Sequence, residues 1–127
     1  MITANELDFV GRHIAHAAFA VHDALGPGLE EKVYRACLAH ELEARGLNVE
    51  QQVPVPVRYN DLVFDEGFRL DLLVNQQVLV KVLSADQLYP AHHIQMVTHL
   101  KHADLRLGFL INFSTPNLND GLQRIAL

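Results

Sequence analysis

Asp71 and Lys81 lie in a stretch where apolar residues recur with a period of two, which predicts that strands present both. Alternation places Arg69, Asp71 and Leu73 on one face of a strand from Phe68 to Val74. It likewise groups Leu79, Lys81 and Leu83 in a strand from Val78 to Ser84. If Asn75-Gln76-Gln77 is a symmetric loop pairing Val74 with Val78, Asp71 falls directly opposite Lys81, and Arg69 opposite Leu83. An exposed cross-strand ion pair contributes about 0.2 to 1 kcal/mol. A buried one is strongly coupled to its neighbours.

A second group is the histidines. His92, Gln95, His99 and His102 recur at steps of three, four and three, so they share one helix face, and His13 and His16 are spaced similarly. Histidines at such spacings can bind a transition metal, but the defined glutamate of a metalloprotease motif is missing. The reading preferred here is a polar helix face, with a zinc-bridged or pH-sensitive contact between two such helices as the sharper alternative. Cys37 is the sole cysteine, and its place in a helical apolar pattern predicts a buried, inert thiol.

Three helices and four or five strands must position these groups. Thr3 with Glu6 reads as a capping box, and Leu7, Val10, Ile14, Ala18, Val21 and Leu25 follow at helical spacing, predicting a helix over roughly 5 to 25. Gly26-Pro27-Gly28 stops it, and a second helix runs from about Leu29 to Arg45 before Gly46. Val53-Pro54-Val55-Pro56-Val57 is a strand whose prolines suit a sheet edge. Asn60-Asp61 and Asp65-Glu66-Gly67 read as turns. Pro90 opens a third helix to about Ala103, Arg106 to Phe113 is a buried strand, and Leu122 to Leu127 is a final short strand after a polar loop.

The order ααβββαβ(β), without repeat or linker, predicts one α/β domain over residues 1–127. Half the residues are hydrophobic and 20% charged, which excludes a disordered chain. A net charge of −5, with no basic block, gives no general attraction for a phosphate backbone, so nucleic acid as a partner has no support from charge. Protonating all eight histidines would carry that charge to +3. No apolar run is long enough to cross a membrane and no leader-like segment opens the chain, so the expected location is cytoplasmic.

Gly28-Leu29-Glu30-Glu31-Lys32-Val33-Tyr34 has the spacing Gly-x-x-Glu-x-x-Tyr. Read with Gln52-Val53-Pro54, Phe68 to Val74, Leu88-x-Pro90-x-His92-x-x-Gln95 and Leu107 to Phe113, it resembles the GxxExxY family across nearly the whole chain. That family is similar to PD-(D/E)XK nucleases, and the resemblance implies a restriction-endonuclease-like core, a mixed β-sheet flanked by α-helices. It also implies a site in which a helix glutamate, a strand aspartate and a following Glu-x-Lys surround a divalent metal. By position Glu31, Asp71 and Gln95 match. Lys81-Val82-Leu83 stands where Glu-x-Lys is expected.

Carboxylates hold Mg²⁺, the metal activates water and polarises phosphate, and the lysine steadies developing charge. A lysine ammonium at about 4 Å would repel a divalent ion by roughly 8 kcal/mol at an effective dielectric of about 20. The expectation is therefore a non-catalytic binding or structural protein, possible as a homodimer, needing no cofactor, with Lys81 paired to Asp71 in the former metal position. The alternative is a Mg²⁺- or Mn²⁺-dependent DNA or RNA phosphodiesterase, with Glu31 and Asp71 as metal ligands and Lys81 or Arg69 supplying the positive charge from a shifted position. A histidine-based transition-metal protein is the third and weakest reading. Tyr34 is expected to pack with its hydroxyl satisfied.

Overall fold

A computed structural model of the chain describes residues 3–127. Its elements are α1 (Ala4–Leu25), α2 (Glu31–Ala44), β1 (Val49–Tyr59), β2 (Leu62–Val74), β3 (Val78–Leu83), α3 (Pro90–Ala103), β4 (Leu107–Asn112) and β5 (Leu122–Ala126), with one 3₁₀ turn at Leu118–Asp120. The five strands form one mixed sheet in the order β1-β2-β3-β4-β5. Only β3 and β4 run parallel, joined by the α3 crossover; the other neighbours are antiparallel.

Each face of the sheet carries its own core. On one side α1 and α2 pack Ile14, Ala18, Tyr34, Leu38 and Leu42 onto Val78, Val80, Val82, Phe109 and Ile111. On the other, Met96 and Leu100 of α3 cover Leu70, Leu79, Leu110 and Ile125. Even-numbered positions of β3 therefore face α1 and α2, and its odd-numbered row, Leu79, Lys81 and Leu83, faces α3. Lys81 is the one charged side chain in that row.

α1 begins with the expected capping box, Thr3 Oγ1 taking the Glu6 N–H and Glu6 taking that of Thr3. Gly26 and Gly28 hold positive φ angles of 74° and 101° where the chain turns between the helices. Tyr34 is fully buried, stacks on Phe113 at 4.7 Å, donates its hydroxyl proton to Gly26 O and accepts from Leu29 N. The connection just ahead of Glu31 is thereby fixed.

Two expectations about the strands need correction. Asp65-Glu66-Gly67 is no turn. It is a bulge inside β2, where three residues oppose the single Pro56 between the pairs Val55–Phe68 and Val57–Phe64. Gly67 is needed there, since a Cβ would lie 2.3 Å from Val57 Cγ2. The strict alternation that grouped Arg69 with Asp71 also fails. Val49 lies in the α1/α2 core but Val53 and Val55 in the α3 core; opposite them, Leu72 and Val74 lie in the first but Leu70 and Phe68 in the second. Both strands change face at one point, where Gln52 has φ 54° and the Gln52–Asp71 pair is missing between the pairs Gln51–Leu72 and Val53–Leu70.

Candidate functional site

The β2–β3 hairpin turns as the symmetric loop requires, with Val74 opposite Val78, but its ladder ends at Leu72–Val80. Beyond it β2 leaves β3 and follows β1 outward, so neither Asp71–Lys81 nor Arg69–Leu83 is a backbone pair. Asp71 sits where the strands part. Its Oδ2 accepts the Val82 N–H at 2.9 Å and lies 3.8 Å from Lys81 Nζ. Asp71 is buried, whereas the Lys81 side chain keeps 27% of its surface exposed. Side-chain geometry thus brings together two groups that the backbone ladder does not.

His99 of α3 completes this neighbourhood; its spacing put it in the histidine stripe of that helix but did not place it beside Lys81. Its ring stacks on Phe68 with centroids 4.0 Å apart and planes 12° apart, and His102 meets the same ring edge-on at 6.4 Å. Burial holds the His99 imidazole below its usual range, the nearby Lys81 and His102 charges act in the same direction, and Asp71 opposes them. The available signal was the Lys81-bearing row of β3 facing the helix that follows it. Using it required knowing which face α3 covers.

The remaining candidates lie apart from this pair. The Glu31 carboxylate binds Arg35 one turn along α2 at 2.7 Å and is partly exposed. Its helix start is tied to the end of β3 by Ser84, whose hydroxyl donates to Leu29 O, so Glu31 stands near the Leu83 end of that strand. Gln95 is exposed on α3, with no hydrogen bond to Asp71 or Lys81 among the described residues. Arg69 is exposed and engaged by Glu66 through a charge-assisted hydrogen bond that raises the arginine pKa and lowers the glutamate's.

α1 and α3 lie on opposite faces of the sheet, so His13 and His16 cannot meet the α3 histidines within one chain. His92 Nδ1 instead takes the Tyr89 N–H. Cys37 is half-buried rather than buried, lining an apolar groove of about 310 Å³ between α1 and α2, because its position faces the seam of the two helices.

A family profile for the PD-(D/E)XK nuclease superfamily matches residues 8–125. The chain belongs to that superfamily. No curated protein and no solved structure gives a significant match. The five-stranded mixed sheet flanked by helices is the restriction-endonuclease-like architecture.

A divalent ion needs several oxygen donors converging on it. At the parting of β2 and β3, the one Asp71 oxygen nearest β3 already takes an N–H and faces an ammonium, and Glu31 is drawn to Arg35. Among the described residues, no three His, Cys, Asp or Glu side chains are grouped to hold a metal. These residues do not fit a divalent ion. No helix among them is long and apolar enough to cross a membrane.

Proposed function

We propose that this chain is a non-catalytic member of the superfamily, of the GxxExxY type, acting as a binding or structural module in the cytoplasm. The observation that carries this reading is the contact of Lys81 Nζ with Asp71 Oδ2 at 3.8 Å. An ammonium supplies one positive charge beside the aspartate without open coordination positions, so it satisfies the carboxylate and cannot activate water. Leu83, where a lysine would steady the developing charge, adds no proton donor. The protein then keeps the nuclease scaffold and a neutralised site, and needs no cofactor.

The reading is tested by titrating the purified chain with Mg²⁺ and Mn²⁺ in the presence of DNA and RNA, with Asp71→Ala as control. The expected result is no metal-stimulated cleavage by either protein. Cleavage by the native chain that disappears in Asp71→Ala would overturn the proposal in favour of a metal-dependent phosphodiesterase.

A further inference from the structure

β5 forms one edge of the sheet. Leu127 N–H donates to Arg106 O and Asn112 N–H to Gly121 O, and bonded residues alternate along an antiparallel ladder, so Gln123 and Ile125 also turn their backbone polar groups towards β4. Leu122, Arg124 and Ala126 therefore turn theirs outward, where they meet no backbone partner among the described residues. No proline blunts this edge, whereas β1 at the other edge carries Pro54 and Pro56.

A cleft flanks the free edge on each face. Leu122 packs on the α1/α2 core and Ile125 lies in the α3 core, so alternation puts Arg124 on the α1 side and Gln123 on the α3 side. On the α1 side Arg12 and Arg124 line a cleft of about 220 Å³ with Asp8 and Phe109. Asp8 lies 3.3 Å from Arg124, and Arg12 joins no ion pair among the described residues. Two guanidinium groups against one carboxylate leave this cleft cationic in a chain of net charge −5. On the α3 side Leu88, Tyr89, Pro90 and Ile94 join Gln123 around a cleft of about 440 Å³, with Ile94 65% exposed.

We propose that β5 is the docking edge for an extended segment of a partner protein in which an acidic residue is flanked by large apolar ones. The segment adds antiparallel to β5 as a sixth strand, and its main chain pairs with Leu122, Arg124 and Ala126. Opposite Arg124, the acidic side chain projects to the α1 side and meets Arg124 and Arg12. Its neighbour opposite Gln123 projects to the other face, into the apolar cleft under α3. A second copy of this chain is the less suitable occupant, because two-fold pairing centred on β5 sets Arg124 against the same residue of the other copy.

This edge gives the binding role a partner class without resting on the Asp71–Lys81 pair, and Lys81→Met should bind as the native chain does. The test titrates the ¹⁵N-labelled full chain with the acetylated, amidated peptide Ser-Thr-Leu-Glu-Leu-Thr-Ser, whose order is the same in either strand direction. Saturable binding with a Kd of about 1 mM or tighter is expected. Downfield shifts should fall on the outward amides of Leu122, Arg124 and Ala126 and spare those of Gln123 and Ile125. The same peptide with Lys for Glu should bind at least about tenfold more weakly, and Arg124→Glu should reverse that preference. Ala126→Pro removes an outward donor while leaving the β4 ladder and the charges in place, and should weaken binding; it carries the test if Arg124→Glu does not fold. No saturable shift up to about 5 mM peptide overturns the proposal. So does binding that moves no outward amide or ignores the peptide's charge, or a β5 edge already occupied by a second copy in the free protein.

Discussion

Asp71 meets two donors with one oxygen, the Val82 N–H at 2.9 Å and the Lys81 ammonium at 3.8 Å, so truncating it strands both. Asp71→Ala is expected to cost about 2 to 3 kcal/mol, below the full penalty of a buried pair because Lys81 can turn to water. Asp71→Asn keeps an acceptor for Val82 and should cost about half as much; chemical denaturation of the two variants measures the difference. His99 titrates in the opposite sense to a salt-bridged histidine. Its folded pKa lies below the unfolded value of 6.5, so between the two the unfolded chain binds more protons. Stability therefore falls as pH drops from about 6.5 towards the folded pKa, and is constant again below it. His99→Gln is expected to flatten that slope in denaturation curves taken across the range. Restoring the motif, with Lys81→Glu and Leu83→Lys together, should create Mn²⁺ binding detectable by calorimetry in a chain that otherwise gives none.

The helices were the most legible elements, because α1 from Thr3 to Gly26 carries its capping box, its 3.6-residue apolar row and its stop signal all in local sequence. The turn joining β2 to β3 was legible for a similar reason, since a symmetric three-residue loop sets Val74 against Val78. Less local facts were not. The change of face at Gln52 and Asp71 depends on one backbone φ of 54° in a residue with no turn signature, and it separates Arg69 from Asp71. The bulge at 65 to 67 carries turn residues, yet continues as strand because β1 runs alongside it. The place of His99 beside Lys81 depends on how α3 docks across the sheet. At this scale the connection ahead of α2 offers a test: Tyr34→Phe removes the hydroxyl that bridges Gly26 O and Leu29 N, and should cost about 1 kcal/mol by thermal unfolding.

At the scale of the whole molecule, the superfamily match spans residues 8–125 and a lysine stands beside the buried Asp71 at the centre of the sheet. The Lys81 cation lies between Leu79 and Leu83 on the α3 side of the sheet. The most direct test is a crystal structure of the native chain soaked in Mn²⁺. The expected density shows Lys81 Nζ against Asp71 with no metal on that carboxylate. A Mn²⁺ ion within about 2.5 Å of an Asp71 oxygen, with Lys81 turned away, would contradict the account.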